Sequence, residues 1–262
     1  MSAQVYAAVT RQLLANSMAK LMAFRVSFIL NVLVEVANFF SYYLTVSFLF
    51  DHISHVGSWG RAHFMFFVFW VQLMGCLYNC VAAPNFWNFA TEVRTGALDF
   101  RLLRPLGSLF DAFTAYQRPI TLLVAPIHIS FIMHYGRELN FTWIAWSCLP
   151  LLFVGALLLA FLIELTVIMV TFWTGGGDGM NFVRMQCQQL QRWPNFVYPT
   201  SLRRFLTWYF PILATGTLSV QFLLDTKRWE TPLFILCAIA VFWGIAGKLW
   251  ARGLRRYESA SS

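Results

Sequence analysis

The stretch from residue 143 to residue 173 constrains this chain most, because it holds a single charged side chain, Glu164. A helix needs about 20 mainly apolar residues to cross a bilayer, and this run is longer. Its apolar residues are continuous and do not alternate with polar ones, which is not the pattern of a membrane-spanning β-strand. The run therefore predicts a transmembrane helix.

The composition extends this prediction to the whole chain. Of the 262 residues, 59% are hydrophobic and only 11% are charged, about half the charged fraction of a soluble protein. We predict an all-α polytopic membrane protein with one transmembrane domain over residues 1–262. Apolar runs predict five of its spans at residues 24–50, 64–83, 120–135, 143–173 and 232–250.

Residues 174–225 allow two alternatives. In the first, residues 174–204 form a cytoplasmic loop and residues 205–225 form the fifth span. In the second, a polar helix over residues 180–193 is the fifth span, and prolines 194, 199 and 211 fold a re-entrant hairpin at the outer face. Irregular backbone at membrane depth requires cover from protein or a cavity. Both alternatives give six spans, with residues 226–262 forming the last span and the tail.

The distribution of Lys and Arg predicts the orientation. Both termini lie on the same side in either alternative, and that side carries more basic residues, which marks it as cytoplasmic. The charge rule favours the first alternative. Residues 1–23 are predicted as an amphipathic helix along the membrane interface, with Val5, Val9 and Leu13 on one face.

Residues 84–113 mix acids and arginines with Leu and Phe between the second and third spans. The pattern predicts a short helix lying flat, with Phe86, Phe89 and Val93 toward the bilayer and the charges toward water. Gly96 allows a bend, and Pro105 ends the helix. An ordinary interfacial loop is the alternative.

The polar helix carries Arg184, Gln188, Gln191 and Arg192 at positions i, i+4, i+7 and i+8. One polar stripe on a spanning helix favours a protein interface or a water-lined path. A cytoplasmic amphipathic helix is the alternative.

Two acids, Glu35 and Glu164, lie inside predicted spans. A carboxylate at that depth usually faces a cavity or a partner, so both are candidates for a translocation path. A hydrogen-bonded glutamate in helix packing is the other interpretation.

Several other site classes are not indicated. The chain has no G-x-x-x-x-G-K-[ST] loop for a nucleotide phosphate, and "GGGDG" is interpreted as a helix break. The five cysteines lie in apolar segments, which is typical of packing residues, and His52, His55 and His63 flank a loop without supporting acids. We predict no catalytic residue, no metal, no cofactor bound by this chain and no nucleic-acid partner.

The sequence "TGALDFRLLRPLG" resembles the G-x-L-D-x-x-L-x-R-P signature of bacterial ABC exporter permeases of the type-2 class. "GLRRYESAS" at residues 253–261 is similar to the ending of that family. The Trp-Pro and Tyr-Pro run over residues 193–203 is similar to its re-entrant outer segment. The resemblance narrows to the small six-span subunits that lack an ATPase domain of their own, and it favours the second alternative for residues 174–225.

The resemblance implies that residues 84–113 form a coupling helix that binds in a cleft of a separate ATPase subunit. Two ATPase copies would bind ATP and Mg, and a second permease, identical or paralogous, would complete the substrate path in the bacterial cytoplasmic membrane, in contact with its lipid. An ion-coupled secondary transporter is the alternative function. The implied coupling residues are Glu92, Arg94, Gly96, Asp99, Arg101, Arg104 and Pro105.

Overall fold

The computed structural model describes residues 3–175 and 177–257. This part of the chain consists of helices and their connections and contains no β-strand, only an isolated bridge between Val56 and Trp59. Its α-helices, in chain order, are α1 (Ala3–Ala23), α2 (Arg25–His52), α3 (Arg61–Val81), α4 (Ala83–Thr95), α5 (Leu98–Leu102), α6 (Ser108–Thr114), α7 (Ala125–Glu138), α8 (Trp143–Met169), α9 (Thr171–Thr174), α10 (Gly177–Gln191), α11 (Thr200–Arg204), α12 (Ser219–Leu224) and α13 (Glu230–Arg256).

Within residues 3–175 and 177–257, five helical stretches are long and apolar enough to cross a membrane. They are Arg25–His52, Arg61–Val81, Pro119–Glu138, Trp143–Thr174 and Glu230–Arg256. The third begins with a 3₁₀ turn at Pro119–Val124 that leads into α7. The prediction of an all-helical polytopic membrane protein is confirmed. The predicted fifth span is not among these five, so the count of six spans stays a prediction.

Two ends of the bundle can be distinguished because α3 joins them. Residues 84–113 follow the end of α3, and this side is called the charged end. The loop of residues 53–60 precedes α3, and this side is called the loop end.

α10 runs from the charged end toward the loop end. At its midpoint, the guanidinium of Arg184 lies 5.2 Å from the ring centre of Phe86 in α4. Beyond its end, the ring of Phe196 packs edge-on against Trp59 with centres 5.2 Å apart. α10 is therefore part of the bundle and not a detached loop.

Residues 205–225 are not one continuous helix, which the first alternative requires. A π-helical piece at Phe205–Tyr209 stops before Pro211, and a second piece starts with π-helical residues Ala214–Leu218 and continues into α12. Proline lacks the N–H that a helix interior needs, so the interruption follows from the sequence.

Ring contacts with α13 trace the path of these two pieces. Trp208 packs on Phe234 near the start of α13, and Phe210 packs on Phe242. These two α13 residues lie about 12 Å apart along the helix. The chain then returns, because Phe222 packs on the residue that precedes α13.

The helices differ in how much of their surface the protein covers. α3 buries an unbroken run from Phe64 to Trp70, and most of the second half of α8 is also buried. α2, in contrast, buries only Phe39 and Val46 over its whole length. The core therefore sits between α3 and α8, with α2 at its margin.

The predicted helix break near residue 175 has a clear backbone cause. Gly175 adopts φ +63°, in the left-handed region, and ends α9. Residue 176 of the "GGGDG" motif lies outside the described residues, as do residues 258–261 of the C-terminal motif.

Candidate functional site

The charged segment at residues 84–113 is tied together by Arg101. Its Nε and Nη2 atoms donate to the two carboxylate oxygens of Glu92, at 2.6 Å each, and its Nη1 donates to the carbonyl oxygen of Asp111 at 3.0 Å. Nη1 also lies 3.5 Å from the Asp111 carboxylate. Such a two-point pair fixes both distance and orientation, so α4, α5 and α6 are held as one unit.

Arg104 extends this network to the surface. Its Nη1 lies 3.1 Å from Oδ1 of Asp111, while its own side chain is 53% exposed. Burial by itself would lower the pKa of Arg101, but the hydrogen bonds and charge of Glu92 outweigh it and raise that pKa above its usual value. The network therefore keeps Arg101 charged.

The turn between α4 and α5 depends on Gly96. This residue adopts φ +75°, the left-handed conformation that ends α4, as the predicted bend requires. The turn folds α5 back so that Arg101 reaches Glu92.

The predicted orientation of α4 is wrong. Phe86 and Phe89 are fully buried in the protein and do not face the bilayer, and Glu92 is only 7% exposed. Phe89 packs on Phe113 and Phe172. The periodicity of the segment was correct, but its apolar face meets α6 and α9.

The outward-facing surface of the charged segment includes two exposed apolar residues. Phe100 is 74% exposed and Leu103 is 82% exposed, and they lie three residues apart around α5. Arg104 and Pro105, which follow Leu103 directly, are also exposed, as is Arg94 near the end of α4. We call Phe100 and Leu103 the apolar tip.

The segment also holds the end of α13. Trp250 donates its indole N–H to the Ser108 hydroxyl at 3.3 Å. Gly253 lies so close to Phe172 that an added Cβ would be 2.2 Å from the ring. Burial, together with the Asp99 carboxylate, raises the pKa of Tyr257 to about 12.

Arg184 is the point where the charged segment meets the bundle interior. It is 1% exposed, and its guanidinium also lies 5.6 Å from the ring centre of Trp87 in α4. Its Nη1 donates to Oε2 of Glu164 at 3.1 Å and to the hydroxyl of Tyr78 at 2.9 Å. One buried arginine thus connects α4, α8 and α3.

Glu164 gathers three donors on one oxygen. Besides Arg184, the Tyr78 hydroxyl donates to Oε2, and Gln188 donates through Nε2 at 3.0 Å. One carboxylate oxygen is therefore fully engaged, and Glu164 is also one of the residues that line a cavity.

This cavity has a volume of about 320 Å³ and lies between α2, α3, α8 and α10, with the 3₁₀ turn and α7 closing one side. One face of each of three helices, α2, α3 and α10, lines this cavity with mainly polar residues. α10 contributes Gln188, Gln191 and Arg192. α2 contributes Glu35, Asn38 and Tyr42, and α3 contributes Gln72, Gly75 and Asn79.

The structure brings most of the predicted path residues together. Glu35, Glu164, Gln188, Gln191 and Arg192 all line this one cavity. Arg184, the sixth predicted residue, lies behind Glu164. Whether they form a translocation path stays a prediction.

Sequence reasoning missed the stripes on α2 and α3. Residues 35, 38 and 42, and residues 72, 75 and 79, follow the spacing i, i+3, i+7, which places them on one helix face. Five polar side chains and one glycine, Gly75, at that spacing inside apolar runs were the available signal.

The cysteines and histidines form no site of their own in the described part of the chain. All five cysteines are free. Over residues 3–175 and 177–257, no group of three His, Cys, Asp or Glu side chains is placed to hold a metal ion.

A family model described as "ABC-2 family transporter protein" matches residues 32–261. The chain belongs to the ABC-2 transporter family. It is therefore an ABC transporter permease and a multi-pass membrane protein, and membership implies a partner ATP-binding subunit. Permeases of this family are membrane subunits that are generally non-catalytic, and membership does not favour the ion-coupled alternative. No curated protein and no solved structure matches the chain.

Proposed function

We propose that this permease is the transmembrane subunit of an ATP-driven exporter in the bacterial cytoplasmic membrane. Two separate ATPase subunits would bind ATP and Mg at the charged end, which makes that end and both termini cytoplasmic. A second permease, identical or paralogous, would complete the substrate path. α1 would lie along the membrane interface, where Tyr6 packs on Phe110 of α6.

The observation that supports the proposal is the structure of the charged segment, which is internally bonded, packed on the bundle and apolar at its exposed tip. Its internal ion pairs make it rigid, and its aromatic face is buried in the bundle, so it cannot shift without moving the helices it contacts. Its apolar tip faces outward with exposed arginines beside it. Apolar contact surrounded by charge is how a specific protein partner is bound.

The predicted coupling residues then have two kinds of role: some stabilise the segment internally, and others would contact the ATPase. Glu92 and Arg101 stiffen the segment from inside, and Gly96 sets its turn. The partner ATPase would contact Phe100, Leu103, Arg94 and the exposed part of Arg104, together with Pro105. Asp99 lies between these groups, close to Tyr257.

A physical route leads from this segment to the cavity. A shift of α4 moves Phe86 and Trp87, which lie against the guanidinium of Arg184. Arg184 holds Glu164, and Glu164 lines the cavity. ATPase closure at the apolar tip would therefore change the cavity wall.

We assign α10 as the fifth span and residues 194–224 as a re-entrant hairpin at the outer face. The support is the direction of α10 and the return of the following chain toward the start of α13. The polar stripe of α10 then faces the path that this chain forms with the second permease.

The test is co-purification of the permease with the ATP-binding subunit of its transporter. The double variant Phe100→Asp/Leu103→Asp should fold, because both side chains are exposed, and should lose the ATPase. Ile53→Asp is the matched control, since Ile53 is an exposed apolar residue at the loop end. Retention of the ATPase by the double variant, or its loss with Ile53→Asp, would count against the proposal.

A further inference from the structure

The residues that line the cavity between α2, α3, α8 and α10 indicate the chemical class of its ligand. We propose that it binds a polyhydroxylated group, such as the sugar of a glycoside or a glycolipid headgroup. This rests on the proposed function, in which the cavity is part of the substrate path, and it specifies the chemistry of that substrate.

Carboxamides are the most numerous polar groups in the cavity wall. Asn38, Gln72, Asn79, Gln188 and Gln191 all line it, from three different helices. Each carboxamide offers two N–H donors and an acceptor oxygen. A wall of this kind is complementary to a ligand that both donates and accepts hydrogen bonds.

Most of these groups have no hydrogen-bond partner within residues 3–175 and 177–257. Among the described residues, the side-chain amides of Asn38, Gln72 and Asn79 make no hydrogen bond, and Nε2 of Gln191 is buried without a partner. Glu35 likewise forms no ion pair or side-chain hydrogen bond in the part of the chain that the structure describes. Unsatisfied polar groups at membrane depth are costly, so the cavity requires a polar occupant.

The charges of the wall do not select a charged ligand. Glu164 is already engaged by Arg184. Glu35 carries one negative charge, and Arg192 carries one positive charge and donates to the Tyr42 hydroxyl about two helical turns further along α2. The unpaired charges of the wall therefore sum to zero, and neither a net cation nor a net anion is favoured.

Hydroxyl groups fit this wall better than other neutral groups. A hydroxyl donates one hydrogen bond and accepts others, so neighbouring hydroxyls can satisfy the amides and the Glu35 carboxylate together. An apolar ligand would leave these groups unsatisfied, and an ether would leave the acceptors unsatisfied. Phe39 and Tyr42 add ring surface for the apolar faces of a sugar. The volume of about 320 Å³ lies at the lower end of ligand sites.

The experiment compares two probes that share a dodecyl chain. Purified permease in phosphatidylcholine nanodiscs is equilibrated with radiolabelled dodecyl maltoside or with dodecyl octaethylene glycol ether, below their micellar concentrations. Empty nanodiscs give the background. The maltoside should bind saturably, and the ether, which accepts but hardly donates hydrogen bonds, should not compete with it.

Gly75 provides the blocking variant. A Cβ at Gly75 would meet no atom within 4 Å, and the residue lines the cavity, so Gly75→Leu should fill the cavity and abolish maltoside binding. Gly244→Leu on α13 is the matched control, because its Cβ also meets nothing within 4 Å. The double variant Gln72→Leu/Asn79→Leu should weaken binding by about tenfold.

Three results would overturn the proposal: equal binding of the ether, maltoside binding that survives Gly75→Leu, or no saturable maltoside binding at all. The assay uses the permease alone. A failure of ATPase docking therefore leaves its result intact, and that failure would refute only the proposed function.

Discussion

Arg184→Met should be the most destabilising single change at the interior junction. The variant leaves the Glu164 carboxylate buried without its guanidinium, and both side chains are almost fully covered. Breaking a buried pair in this way costs about 3–5 kcal/mol. At roughly 2–4 °C per kcal/mol for a chain of this size, the melting temperature should fall by about 6–20 °C.

The double variant Arg184→Met/Glu164→Leu separates stability from coupling. Replacing both charges removes the stranded carboxylate, so most of the lost stability should return. Transport should stay low, because the link from α4 to the cavity wall is gone. Arg192→Met is the control, since the exposed Arg192 has the Tyr42 hydroxyl as its one hydrogen-bond partner among the described residues, and it should cost less than about 1 kcal/mol.

The measurement is thermal unfolding of the detergent-purified variants, followed by size-exclusion chromatography with fluorescence detection. Transport is measured in vesicles with the ATP-binding subunit present. The reasoning fails if the single and double variants lose the same stability, or if the double variant transports as well as the wild type.

Four further predictions concern the charged end. Arg101→Met should cost about 3–5 kcal/mol because it leaves a buried carboxylate unpaired, and limited proteolysis should then cut the segment around residues 96–107. Gly253→Ala should lower the melting temperature, since its Cβ would lie 2.2 Å from Phe172, and a second change, Phe172→Leu, should restore part of the loss. The pKa of Tyr257 is raised from 10.0 to about 12, so the unfolded chain releases this proton first and stability falls as pH rises through that interval. Tyr257→Phe should make the alkaline decline measured by thermal unfolding shallower. Asp99→Lys should leave the fold intact and uncouple ATP hydrolysis from transport, as comparison of the two rates in vesicles would show.

The parts of the fold that follow from local periodicity could be predicted from the sequence. Apolar length located the long helices, and the 3.6-residue repeat placed the polar stripe of α10 on one face. Gly96 and Pro211 marked real interruptions, because both act through their own backbone. These are properties of a segment and its immediate neighbours.

The partners of the charged groups could not be predicted in the same way. Glu92 and Arg101 meet only because the chain reverses at Gly96, and Arg184 bonds Tyr78, which is 106 positions away. A sequence pattern shows that a charge needs a partner or water but not which one it finds. The prediction from the sequence therefore placed the Glu92 side chain toward water, whereas Glu92 is buried in the structure.

The length of α10 has a consequence for the bilayer. Fifteen residues extend about 22 Å, whereas the hydrocarbon layer is about 30 Å thick. As the proposed fifth span, a helix this short would create a hydrophobic mismatch, which the bilayer relieves by local thinning. In that arrangement the dielectric barrier to a polar solute would be narrower beside α10 than anywhere along α8.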